Sequence, residues 1–344
     1  MKGIPTVQSP SSPSLRPRIV WIDAMRGMLA VSVVVIHTYM GLGATARSIN
    51  VVDGVLPAIM KVIHVVAVPG FAFVSGMMMM RVGEKVDARS IGRRALRRIV
   101  GLIVPCFVFL LLWKRAEGWA FMSTLRAGPN YFLLALANIS AVYFLLRVLC
   151  GKRHGVFLAF LLATTLVFSA VLAMWHSSPV ADTMCWRETC DLMLFFTIGV
   201  FFSRSGGAER WMAWPGAWCV TCGAFVVMLI VYINIGDYPW MPRGVWRVLT
   251  SVCGIAALAS LVFSFRRWPE PLARVATYGG SRTLSLYVLH TPLLSMTGLF
   301  TGLVADVLTL PLAAMLVVLS WSIHDAIHRV GPLHLLCFGT RRVV

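Results

Sequence analysis

The chain has 344 residues, of which 58% are hydrophobic and 13% charged, with a mean hydropathy of +0.81; a water-soluble domain is nearer half apolar and a quarter charged. Its 31 Lys and Arg against 13 Asp and Glu give a net charge of +18, a surplus that in a membrane protein reports topology and anionic headgroups, so no nucleic-acid partner is expected. About ten spans of roughly 21 residues each would take up about 210 residues, which leaves no space for a soluble catalytic domain and excludes a single-chain ATP-driven pump, a Rossmann enzyme and a secreted disulfide scaffold.

Residues 1–17, with Ser9, Pro10, Ser11, Ser12, Pro13 and Ser14, hold no continuous apolar run and are expected to be a disordered cytoplasmic tail rather than a signal peptide. Apolar windows bounded by charge, Gly and Pro predict spans near 19–43, 55–80, 93–113, 130–149, 155–175, 188–204, 213–235, 244–265, 277–299 and 302–323. The membrane domain is expected over 18–328, with a short cytoplasmic tail over 329–344. Lys and Arg gather on alternate segments, among them Arg93, Arg94, Arg97 and Arg98, then Lys152 and Arg153, then Arg266 and Arg267, then Arg341 and Arg342. The positive-inside rule then puts both termini in the cytoplasm. The expected fold is an all-α integral membrane protein of about ten transmembrane helices.

Of eight cysteines, Cys219 and Cys222 form a C-x-x-C inside an apolar span and read as packing residues. Cys185 and Cys190 fall in an outward-facing loop, where a bridge could close if their Cβ atoms met.

Ionisable residues within spans are costly and are functional candidates by default. In the first span Asp23 and Arg26 are three residues apart and share a helix face. Arg26 and His37 are eleven apart; at 100° per residue that is within about 20° of three full turns, and the axial separation is about 16 Å. A reaction path along one face of this helix would therefore lead from the cytoplasmic end toward the outer half of the membrane. Held only by that spacing, the three residues read equally well as an interfacial ion pair and a buried, hydrogen-bonded histidine.

The stretch R-I-V-W-I-D-A-M-R-G from Arg18, with Arg26, ten residues and then His37, resembles the opening of the acyltransferase-3 family of bacterial membrane O-acyltransferases. Val68 to Gly76, V-P-G-F-A-F-V-S-G, is similar to that family's V-P-x-F-F-x-x-S-G segment. Arg94 and Arg97 resemble its R-x-x-R, and Ser285, Tyr287 and His290 its S-x-x-Y-x-x-H. Tyr131-Phe-Leu133 stands where another branch of the family carries W-S-L-x-x-E-E, so no carboxylate role is carried over from that segment.

The resemblance implies transfer of an acyl group, most often acetyl, from acetyl-CoA or another acyl-CoA to a hydroxyl of a cell-surface polysaccharide, oligosaccharide or lipid-linked sugar, by a protein of the bacterial inner membrane with no tightly bound cofactor. His37 is then the base or transient acyl carrier, with Arg26 and Asp23 beside it as catalytic candidates. Arg93, Arg94 and Arg97 are the candidate partners of the coenzyme A phosphates; an arginine run at a membrane edge also orients the chain and binds lipid. Tyr287 and His290, three apart on one helix face, are expected to line an acceptor cavity, with His64 and Asp191 as further substrate-binding candidates.

His324 and His328, four apart, with His334 and Asp325 suggest a metal site, but the Glu of an H-E-x-x-H motif is missing and no metal is expected. A transporter or flippase for a small molecule or lipid-linked sugar is the alternative from another class. Against it, acids at membrane depth are few, and no paired repeat of broken helices is evident.

Overall fold

A long apolar segment inside a bilayer satisfies its own backbone most simply as a helix. The computed structural model describes residues 20–45, 55–81, 88–117, 131–175, 185–204, 210–234, 243–264, 269–294 and 305–338, and the regular elements among them are all helices. They are α1 (Val20–Thr45), α2 (Val55–Arg81), α3 (Ala88–Glu117), α4 (Tyr131–Cys150), α5 (His154–Trp175), α6 (Trp186–Arg204), α7 (Ala217–Asn234), α8 (Arg243–Ser264), α9 (Glu270–Ser281), α10 (Thr283–Leu293), α11 (Ala305–Arg329) and α12 (Gly331–Phe338). The expected disordered tail over 1–17 lies outside the described residues.

Seven of the described helices, α1, α2, α4, α5, α7, α8 and α11, are long and apolar enough to cross a membrane. In α3 the early arginines lower the mean hydropathy, and α6 begins with Arg187, Glu188 and Asp191. The protein is an all-helical integral membrane protein.

The central element is α1, which packs against α2, α8, α9, α10 and α11. Met25, Leu29, Ala30, Val33 and Val34 on it are almost fully buried. At the edge of the bundle α7 packs mainly on α8 and presents Val226, Val227, Ile230 and Ile233 outward, as a lipid-facing helix does.

Three expectations change. The ninth window, expected as one span over 277–299, is two helices separated at Arg282. Arg282 leaves the helical line, with φ −104° and ψ 12°, to donate from Nε and Nη2 to Asp325 on α11 at 3.0 and 2.8 Å. Its guanidinium carbon also lies 3.5 Å from the centre of the Tyr278 ring. The guanidinium is thus paired with a carboxylate at this end of the bundle, at the expense of helix continuity. Residues 295–299 of that window lie outside the described residues. The chain after 329, expected as a tail, continues as α12, which packs on α3 and α11 and buries His334, Cys337 and Phe338. Cys185 and Cys190 are both buried and form no disulfide; Cys185 ends up at the start of α6, where its carbonyl accepts from the Thr189 hydroxyl at 2.7 Å.

α2 and α6 form the most extensive helix pair. A Cβ at Gly76 would overlap the Phe196 carbonyl, and one at Gly199 the Phe73 carbonyl, so the two backbones touch at reciprocal glycines, the close approach that small residues permit in membranes. Gly223 on α7 has open space around it. Gly76→Leu and Gly199→Leu are each expected to destabilise the detergent-solubilised protein by about 1–3 kcal/mol, read as a lower thermal midpoint, whereas Gly223→Leu leaves the midpoint unchanged.

Candidate active site

The N-terminal part of α1 lies against the end of α9 with glycine on both sides. Gly27 faces Gly279 and Gly280, and a Cβ at Gly280 would overlap the backbone of Asp23. This proximity brings the turn between α9 and α10 to α1. There Arg26 donates from Nη2 to the Thr283 hydroxyl at 2.8 Å, while its Nη1 lies 3.6 Å from the Asp23 carboxylate. Thr283 in turn donates to the Gly280 carbonyl at 3.0 Å. The buried Asp23 therefore orients and partly neutralises Arg26, as the sequence spacing predicts.

Three turns further along α1, His37 meets His290. Nδ1 of His37 lies 2.7 Å from Nε2 of His290, with ring centroids 5.0 Å apart and planes within 14°. The remaining ring nitrogen of His290, Nδ1, is 3.0 Å from the Leu286 carbonyl oxygen. His290 is 0% exposed, whereas His37 keeps part of its surface accessible. Aromatic rings continue from this pair: Tyr287 meets His290 edge-on at 5.7 Å, Phe132 meets Tyr287 at 5.4 Å, and Phe71 meets Phe132 at 5.7 Å.

Two cavities lie near α4, and the smaller has Phe71, Phe132 and Tyr287 in its wall. One, of about 170 Å³, lies at the Arg26 end and is walled by Arg26, Arg97, Arg98, Ser75, Thr283 and Tyr287 together with apolar side chains. Among the described residues, the Arg98 Nε is buried with no hydrogen-bond partner, an orphaned cationic donor that an anionic ligand would satisfy. The other cavity, of about 420 Å³, is lined by His64, Tyr131, Arg187, Glu188, Asp191, Arg247 and Ser251 with apolar neighbours. In it Arg247 hydrogen-bonds and ion-pairs with Asp191. Tyr131 and Phe132, consecutive on α4, wall different cavities.

The predicted site residues are therefore distributed as follows. Asp23 and Arg26 meet at one end, His37 and His290 meet in the interior, and His64 and Asp191 share the larger cavity. Tyr287 and His290, expected together at an acceptor cavity, part company: Tyr287 walls the smaller, arginine-lined cavity and His290 is sealed against His37. Of the candidate anion ligands, Arg97 lines the smaller cavity, while Arg93 and Arg94 do not. Arg98, a member of the same arginine run, lines that cavity with Arg97; Arg187, Glu188 and Arg247 are additions. Their one sequence signal was charge inside or beside an apolar window.

The histidines near the chain end cluster without forming a ligand set. His324 Nδ1 lies 2.6 Å from the Ser285 hydroxyl, and the His328 and His334 rings are 4.9 Å apart. Among the described residues no group of three or more His, Cys, Asp or Glu side chains could hold a metal ion.

No curated protein and no solved structure matches the chain. A family model described as an acyltransferase domain, of the acyltransferase-3 type, matches residues 19–325. That range takes in Arg26, His37, the α3 arginines and His290, so the chain belongs to the acyltransferase-3 family and is a membrane acyltransferase.

Proposed function

We propose that the protein transfers an acyl group, acetyl in the first instance, from acetyl-CoA or another acyl-CoA to a hydroxyl of a cell-surface polysaccharide, oligosaccharide or lipid-linked sugar, and does so in a bacterial inner membrane with about ten spans and both termini cytoplasmic. The observation that carries the reading is a pair of cavities walled by the neighbouring α4 residues Tyr131 and Phe132. One is lined by Arg26, Arg97 and Arg98 and the other by mixed polar groups.

The arginine-lined recess suits the phosphates and the polar arm of an acyl-CoA. An acyl-pantetheine arm is long enough to run the roughly 16 Å from the level of Arg26 to that of His37 along one face of α1. The larger recess, with its paired Arg247 and Asp191 and with His64 and Tyr131, suits a polyhydroxylated acceptor, which offers both donors and acceptors of hydrogen bonds. The start of α1 and the end of α11 lie at the same end of the bundle, joined through Thr283, Arg282 and Asp325. This supports an even number of crossings, and the arginines gathered at that end support its being cytoplasmic.

In the reaction, His37 takes the proton of the acceptor hydroxyl as its oxygen attacks the thioester carbonyl carbon. The carbon–oxygen bond forms, the carbon–sulfur bond breaks, and the proton passes from the imidazolium to the departing sulfur. Free coenzyme A and an ester are left and the histidine is neutral again.

Replacing His37 with Ala is expected to lower acyl transfer by at least about 100-fold while the protein stays folded and in the membrane, read by an acetyl-transfer assay beside a thermal melt. Arg97→Ala and Arg98→Ala are each expected to weaken acetyl-CoA binding about tenfold or more, as loss of a charge-assisted hydrogen bond does. Arg93→Ala is expected to change it little. Titration of the purified protein with acetyl-CoA checks both, and no saturable binding by the folded wild type would sink the donor assignment. Asp191→Asn is expected to raise the KM for the acceptor while leaving the KM for acyl-CoA unchanged, measured by varying each substrate in turn.

A further inference from the structure

The three hydrogen-bonding atoms of the histidine pair have an order that decides where the reactive lone pair sits. The Leu286 carbonyl oxygen can only accept, so His290 must carry a proton on Nδ1, the nitrogen 3.0 Å from it. A neutral His290 then has a lone pair on Nε2 and can only accept there. Its partner at 2.7 Å, Nδ1 of His37, must therefore donate, and the lone pair of His37 is left on Nε2.

We infer that His290 is a positioning residue that holds His37 in the Nδ1–H tautomer, so that Nε2 of His37 is the atom that takes the hydroxyl proton. This inference rests on the acyl-transfer reading above and assigns His290 away from the acceptor cavity, where its motif had suggested it. The arrangement needs no carboxylate. A backbone carbonyl at one helix position fixes one imidazole, and that imidazole fixes the next. Sealed in the interior, His290 has no direct path to a substrate, whereas the accessible part of the pair belongs to His37.

The same chain of bonds serves the charged intermediate. Once Nε2 of His37 has taken the proton, both of its nitrogens carry hydrogen, and Nδ1–H still points at the lone pair of His290. The positive charge gains a hydrogen bond that strengthens as it forms, which lowers the barrier to chemistry rather than the affinity for either substrate. Removing the acceptor at position 290 therefore acts on kcat. The ring of His37 would also be free to turn or to adopt the other tautomer, which puts its proton on the nitrogen that must be bare.

The test uses the full-length protein in nanodiscs with 15N-labelled histidine, the signals assigned with His37→Asn and His290→Gln variants. The wild type is expected to show His37 protonated at Nδ1 and bare at Nε2, and His290 protonated at Nδ1. In His290→Gln the side-chain amide oxygen can stand where Nε2 stood, so the His37 tautomer is expected to persist and transfer to stay within about tenfold. In His290→Leu the tautomer preference is expected to vanish and kcat to fall on the order of 100-fold with the KM for acetyl-CoA unchanged. A wild-type His37 protonated at Nε2, a fully active His290→Leu, or a loss confined to KM would each overturn the inference. The spectra need neither donor nor acceptor, so a wild type that shows no acetyl transfer speaks against the substrate assignment alone, while the tautomer result still decides the role of His290.

Discussion

Gly27 on α1 and Gly279 with Gly280 on α9 let two helix backbones lie side by side without intervening side chains, and the arrangement of the site follows from that contact. It brings Thr283 within reach of Arg26 and starts α10 beside α1. From there α10 runs with α1 toward the interior, so that a histidine seven residues beyond Thr283 meets one eleven residues beyond Arg26. Were α9 held off by larger side chains, both pairs would separate together. In a bilayer, where lipid is as apolar as Leu, such close backbone packing takes over much of the work that hydrophobic burial does in water.

Three of the cations in the bundle have a fixed counter-group: Asp23 and Thr283 for Arg26, Asp325 and Tyr278 for Arg282, Asp191 for Arg247. Tyr278 adds a 2.6 Å hydrogen bond from its hydroxyl to the second oxygen of Asp325, so that carboxylate is held at both oxygens. Desolvation makes an isolated charge expensive at this depth, and fixed partners reduce that cost while keeping the side chains in place. Arg98 differs: its Nε is buried without a hydrogen-bond partner among the described residues, and it lies where the proposed donor would supply the missing charge.

Much of this was legible in the sequence, and the limits have physical causes. Hydropathy located the helices to within a few residues at most ends, because the bilayer sets their length. Periodicity put Asp23, Arg26 and His37 on one face because all three lie on a single rigid helix. The contact between His37 and His290 spans 253 positions and depends on how α10 sits against α1, which no local pattern encodes. The break at Arg282 is decided by Asp325, 43 residues later, so an apolar window alone reads as one continuous span. Which of the four arginines between positions 93 and 98 turn inward depends on the rotation of α3 against its neighbours; the run fixes their number but not their facing. The segment after Arg329 is short and mixed in character, and its packing on α3 comes from a surface the sequence does not announce.

The run of rings from Phe71 through Phe132 and Tyr287 to His290 has a further consequence. Two recesses walled by adjacent residues of α4 leave little apolar thickness between them, far less than the roughly 30 Å of hydrocarbon in a bilayer. A protein that brings two polar compartments this close must still insulate one from the other, or it becomes an ion leak. Tilted and edge-on aromatic side chains, which carry no charge, make such an electrical seal with little thickness.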